Sequence, residues 1–281
     1  MKPLYKHHSI FLLLTAVSSA AFTHPLAAKE PIELDCVIEP RATIELGSAA
    51  EGILEEVLVG RGDLVQKGMP VARLESELEQ NAAEAARLRA ENLVEIRSQE
   101  EQARFRLKEV DRLRTMRKTQ AVPEQEFDKA EIEHLLAKFA LDAARTEHRL
   151  AEVELDRAES NVKRREIRSP IDGVVKEVLM EPGEYVHEQA QLMVLAETDP
   201  LFVEVFVPVP SYGQISEGML ADVEPEEPVG GRYQAEVIVV DNVFDPASRT
   251  FGVRLELANP EHKLPAGLRC KVYFQTVGTE Q

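Results

Sequence analysis

The chain has 281 residues, with 33 Lys and Arg against 50 Asp and Glu, a formal net charge of −17 at pH 7. A surface of that sign repels nucleic acid and anionic lipid, so neither is expected as a partner. Its two cysteines, Cys36 and Cys270, lie far apart, which excludes a CxxC redox or zinc motif and leaves at most one disulfide.

The N-terminus carries Lys2 and Lys6, an apolar run from Ile10 to Val17, and a small-residue stretch ending in Ala27 and Ala28 before Lys29. This is the layout of a cleavable signal peptide over residues 1–28, and the run is too short to span a bilayer. A retained anchor is the alternative. Cleavage removes two lysines and no acids, giving a mature charge of −19. Residues 32–38, IELDCVI, then alternate as a half-buried strand does.

Residues 51–75 supply a strand, a glycine turn and a second strand, and the same pattern returns without a gap at an offset of 121 residues. Gly52 falls on Gly173, Val57 on Val178, Gly62 on Gly183, Val65 on Val186 and Leu74 on Leu195. Each half leaves an apolar face that the other must cover, so the two are expected to pack as one sandwich. Gly52, Gly62, Gly173 and Gly183 are assigned to tight turns, where positive φ favours glycine.

Between the halves, residues 76–165 contain one proline, Pro123, and no glycine. Helix-forming residues dominate on both sides of it, predicting two antiparallel helices of matching length, each about 60 Å long at ~1.5 Å per residue. In the second, Phe127, His134, Leu141, His148, Leu155 and Val162 recur every seven residues, with Ala130, Ala137, Ala144, Ala151 and Ala158 in the alternate slot. That period predicts a left-handed coiled coil with closely spaced axes. A second stripe, Ile132, Leu136, Phe139, Ala143, Leu150 and Val153, needs cover from elsewhere, such as a neighbouring copy. The first helix shows a drifting stripe through Leu78, Ala82, Ala85, Leu93, Ile96, Ala103, Leu107, Val110 and Leu113.

After Glu197, residues 201–209, 232–240, 249–260 and 268–274 read as strands of a small barrel, joined by the early strand at 32–38. The acidic run 221–231 is assigned to a solvated loop. The expected fold is multidomain and mainly β, with a long coiled-coil hairpin. A barrel (29–46 and 198–276) and a sandwich (47–75 and 166–197) are each built from two pieces, around a hairpin (76–165), with a tail at 277–281. Cys36 and Cys270 fall on the apolar sides of their strands, leaving two outcomes: a disulfide closing the barrel, or two buried thiols.

The two half-motifs resemble the halves of a lipoyl or biotinyl carrier domain, through Gly52, Gly62, Asp63 and Val65 and again through Gly173, Gly183, Glu184 and Val186. Lys67 and Lys176 lie away from the carrier attachment point, so no carrier function is expected. Split lipoyl halves, helical hairpin and barrel together resemble the periplasmic adaptor family (membrane fusion proteins, HlyD-like) of bacterial tripartite efflux pumps. The barrel stretch adds Asp245, Pro246, Arg249, Thr250, Phe251, Asn259, Pro260, Leu264 and Gly267, similar to a family signature and read here as turn chemistry and packing. The resemblance implies a periplasmic adaptor, peripheral to the inner membrane, self-associating as a trimer or hexamer ring. It would bridge an inner-membrane transporter to a TolC-type outer-membrane channel. A resistance-nodulation-division (RND) pump is favoured over an ABC exporter. The channel-binding tip carries over to Arg112, Met116, Thr119, Val122 and Pro123, with Met116 at a family leucine and Pro123 at a family serine. The family's fourth, membrane-proximal domain is expected to be absent or vestigial.

No nucleophile, base and orienting group stand at a recognisable spacing, and no phosphate-cradling loop is found, so no catalysis and no cofactor are expected. His134 and His148 lie fourteen residues apart, too far to share an ion on one helix, and the six methionines do not cluster, so no metal is expected either. The competing reading is a periplasmic coiled-coil scaffold without a transport role.

Overall fold

The computed structural model describes Met1, residues 32–118 and residues 122–274. The rest of the signal peptide, Thr119 and the tail at 277–281 lie outside them. In chain order, β1 (Ile32–Gly47) leads to β2 (Gly52–Val57), β3 (Leu64–Val65) and β4 (Pro70–Leu74) of the first half-motif. Helices α1 (Glu77–Ala90), α2 (Val94–Arg117) and α3 (Glu124–Arg164) follow. The second half-motif is β5 (Glu166–Arg168), β6 (Gly173–Val178), β7 (Tyr185–Val186) and the start of β8 (Gln191–Pro208). The chain then forms β9 (Leu220–Pro225), β10 (Tyr233–Val240), β11 (Thr250–Leu257) and β12 (Leu268–Phe274).

The half-motifs exchange strands. Val65 of β3 pairs with Gly173 of β6, and Val186 of β7 pairs with Gly52 of β2, the same pair seen from the other half. The turns repeat the exchange. The Gly62 N–H donates to the Val175 carbonyl at 2.8 Å, and the Gly183 N–H to the Leu54 carbonyl at 2.7 Å. One core results, with Leu54, Val71 and Leu74 from the first half and Val175, Val186, Leu192 and Leu195 from the second, all buried. Neither half has a covered apolar face alone, so the long insertion between them does not divide the unit.

The barrel is a closed ring in the order β1, β12, β9, β10, β11, β8, with β8 returning to β1. Its interior alternates with the strands through Ile38, Val203, Val205, Val223, Phe251, Val253, Val272 and Phe274. One strand was not expected: β9 overlaps the start of the acidic run 221–231 assigned to a loop. There Ala221, Val223 and Pro225 face the core while Asp222 and Glu224 alternate with them, half-buried, so the charges conceal a period-two strand. Cys36 and Cys270 are register partners on β1 and β12, joined by a disulfide that links residues 234 apart.

Sandwich and barrel share strands instead of being joined by linkers. Strands β1 and β8 pair from Cys36 opposite Val205 to Gly47 opposite Gln191, through the junctions expected near 46 and 197. A register shift between Pro40 and Ala42 marks where the ribbon passes from one unit to the other.

The hairpin departs from expectation in its outgoing limb, which is two helices. The chain leaves helical geometry at 91–93, where the Asn92 side chain accepts the Val94 N–H at 3.1 Å. Helix α3 runs unbroken for 41 residues. Arg165, just after it, donates to the Glu51 carbonyl at 2.6 Å and pairs with Glu79 on α1, fastening the hairpin's base to the sandwich.

Candidate docking site at the hairpin tip

The seven-residue stripe of α3 is the seam. Every position from Phe127 to Val162 in that repeat is buried or half-buried, and almost every other position on the helix outside the alanine slots is exposed. Facing it are Ala83, Ala86 and Ala90 of α1 and Ile96, Gln99, Ala103, Arg106, Val110 and Leu113 of α2. Thus Leu78, Ala82, Ala85, Leu93 and Leu107, placed on the stripe from sequence, are exposed instead. Ion pairs cross between the limbs, among them Arg87 with Glu159 at 3.2 Å, Arg145 with Glu100 at 2.9 Å and Arg106 with Glu133 at 2.9 Å. Exposed pairs of this kind fix register more than they stabilise.

Near the turn, Val110, Leu113, Phe127 and Ala130 form a small core, and Val122 packs against it. Val122, assigned to the channel-facing surface, is therefore part of the tip's own packing. The Arg117 guanidinium lies 4.1 Å from the centre of the Phe127 ring, and Arg114 pairs with Asp111 at 2.7 Å. Arg112 is different. It is exposed on α2, and among the described residues it has no hydrogen bond or ion pair. Met116, one helical turn on, is exposed on the same face.

Pro123 stands at the N-cap of α3, with an extended backbone at φ −62° and ψ 144° and no side-chain capping bond. Its carbonyl accepts the N–H groups of Glu126 and Phe127 at 3.1 and 3.4 Å. A serine there would reach the free N–H groups of the first turn, so replacing serine by proline trades a cap for a fixed φ.

The four glycines assigned to turns divide by cause. Gly62 and Gly183 have φ of 92° and 93°, with open space where a side chain would stand. Gly173 is not a positive-φ turn: a Cβ there would lie 2.2 Å from the Ala196 carbonyl oxygen. At Gly52 it would meet the Arg165 guanidinium at 2.5 Å.

Residues 42–197, more than half of the chain, match the family model described as CzcB-like, barrel-sandwich hybrid domain. The chain belongs to that family. Residues 200–278 of this CzcB-like chain match a second model, the CusB-like β-barrel domain, and the two matches meet at the register shift in the shared ribbon. The chain is 27% identical over 263 residues to the pyoverdine export membrane fusion protein PvdR of Pseudomonas putida, across 84% of this chain and 67% of that one. It is 26% identical over 130 residues, 41% of this chain, to a UPF0194 membrane protein of Acidithiobacillus ferridurans, of which the match spans 38%. Its fold is similar to that of MacA from Actinobacillus actinomycetemcomitans, with a TM-score of 0.71 and 20% identity over 87% of this chain and 78% of that chain. Among the described residues, no helix is long and apolar enough to cross a membrane.

Proposed function

We propose that this protein is the periplasmic adaptor subunit of a tripartite efflux system, exported by a cleavable signal peptide and peripheral to the inner membrane. It bridges an inner-membrane transporter to a TolC-type outer-membrane channel and performs no catalysis. The observation that carries the reading is the hairpin. Its 41-residue return helix, about 60 Å long at ~1.5 Å per residue, is fastened at the base, and at the far end α2 presents Arg112, unengaged among the described residues, beside the exposed Met116. A planar guanidinium suits a carboxylate or the last carbonyls of a helix, the groups a helical channel end would offer.

Self-association as a trimer or hexamer ring is supported by the second stripe of α3. Ile132, Leu136, Phe139, Leu150 and Val153 are 59% to 64% exposed, too much apolar surface on one face to be left to water. The RND class of the barrel model supports a pump of that type over an ABC exporter.

Affinity purification of the tagged protein from crosslinked cells is expected to recover an inner-membrane transporter together with an outer-membrane channel. Repeated recovery of neither, with the protein itself intact, would favour the scaffold reading.

A further inference from the structure

A cavity of about 430 Å³ lies where barrel and sandwich meet. Its walls are apolar, with Pro40 from the ribbon, Val174 and Ala196 from the sandwich, and Leu264, Pro265 and Ala266 from the loop before β12. The polar residues that line it are Thr43, Thr198, His262 and Lys176. In a chain with 50 acidic side chains, no carboxylate among the described residues lines this space, and its ionisable lining residues, Lys176 and His262, are both basic types.

The loop is held in place by a buried network. The Asn259 side-chain amide donates to the Thr198 and Leu264 carbonyls, both at 2.9 Å, and its oxygen accepts the Leu264 N–H at 3.1 Å. The Asn259 backbone N–H donates to Asp199 at 2.8 Å. His262 is one of two non-glycine residues with positive φ among those described, at 51°, a conformation that persists only where its surroundings impose it. Its N–H donates to the Asn259 carbonyl at 2.9 Å, and its Nδ1 lies 2.9 Å from the Thr198 hydroxyl. A strained histidine and a lysine are thus positioned on a preformed apolar space whose size suits a small molecule and not a peptide segment.

From this we infer that the junction cavity is a binding site for a small amphiphile with an apolar body and one anionic head group. The body occupies the space between Val174, Ala196, Leu264 and Ala266, and the head lies toward Lys176, which is exposed at the rim. Charge complementarity selects the sign of the head, because a cationic amphiphile would meet Lys176 with no carboxylate among the described lining residues to offset it. Walls drawn from both units mean that an occupant touches barrel and sandwich together. Binding here is independent of the adaptor reading, and its test involves no efflux.

Calorimetric titration of the mature protein with decanoate, below micelle formation, is expected to show saturable binding at one site. Decyltrimethylammonium should bind at least roughly tenfold more weakly. Ala266→Trp fills the cavity and should abolish decanoate binding. Lys176→Glu lies at the exposed rim and leaves the core intact, so it reads the site even if the tryptophan is not accommodated. It should weaken decanoate by roughly tenfold and narrow or reverse the preference over the ammonium. Phe139→Ser on the exposed hairpin stripe should leave binding unchanged. Absence of saturable binding, equal affinity for both probes, or loss with Phe139→Ser but not with Lys176→Glu would overturn the proposal.

Discussion

Gly62 and Gly173 sit at the edges of the same exchanged strand pair, yet glycine is needed at each for a different reason. At Gly62 the constraint is the backbone alone, since φ is 92° and nothing lies within 4 Å of the position a methyl group would take. An alanine there should cost about 1 kcal/mol of left-handed strain. At Gly173 the constraint is contact, because a methyl would meet the Ala196 carbonyl oxygen at 2.2 Å and its carbon at 2.9 Å, both backbone atoms of β8. The neighbouring strand would have to move, so Gly173→Ala should destabilise more than Gly62→Ala in urea melts, and equal midpoints would contradict the assignment. A recurring glycine was visible in the sequence at both places. The cause at Gly173 was not, because it depends on how closely a strand from elsewhere in the chain approaches. Asp245 offers a second test at this scale. Hydrogen bonds from the Ala247 N–H, then from the Ser248 hydroxyl, hold its carboxyl below the ordinary value of 3.8. The stability it contributes is therefore present above the unfolded-state value and lost as pH falls through the lower folded-state one. Because the group is exposed the effect is small, and Asp245→Ala should flatten the acid limb of a plot of Tm against pH; superimposable limbs would count against these bonds.

At the scale of elements, the two limbs of the hairpin show what periodicity can and cannot reveal. In α3 the core slots alternate alanine with larger side chains at a strict spacing of seven, and the seam follows them along its length. On the outgoing limb, the buried set Ala83, Ala86 and Ala90 would continue to position 97, whereas the next covered apolar residue is the half-buried Ile96. The break at 91–93 slips the frame by one residue. Alanines on several faces conceal that slip, and the exposed Leu78, Leu93 and Leu107 draw the stripe to the wrong side. Similar masking hid β9, where the inward residues are small and charges stand between them. The seam can be tested with a control on the same helix. Leu141→Asp places an unpaired charge between the limbs and should lower stability by roughly 2–4 kcal/mol, with helix content falling at a lower temperature. Phe139→Asp, two positions away on the exposed stripe, should leave the melting of the monomer unchanged and act on assembly alone. Equal losses from both would mean that the exposed stripe is covered within one chain.

At the scale of the whole molecule, the nested order was legible because a gapless 121-residue repeat and an uninterrupted helical composition survive any detail of packing. The continuity of β1 and β8 through sandwich and barrel was not legible. Both strands cross the junction, and the register shift between Pro40 and Ala42 falls inside residues 29–46, which read from sequence as barrel alone. The shared ribbon bears on function, since a rigid sandwich and barrel with a fastened hairpin base leave the tip as the part that can change without disturbing the rest. Arg112 is exposed on α2 with no hydrogen bond or ion pair among the described residues, whereas Arg114 and Arg117 are occupied by internal contacts with Asp111 and Phe127. Reversal of charge at the unengaged arginine should therefore abolish efflux while expression and Tm stay at their original values. Arg114→Asp should instead lose its pair and place two acids together, lowering tip stability modestly. Pro123→Ser tests the tip from the other side. A serine at this N-cap should hold stability within about 1 kcal/mol, because capping offsets the lost rigidity of proline. Its effect on transport then reports how closely the channel is fitted to this tip. The decisive comparison is made in a strain lacking other adaptors. Full tolerance of the pump's substrates in cells carrying only Arg112→Asp, with the protein present at normal level, would show that docking does not pass through this face of α2.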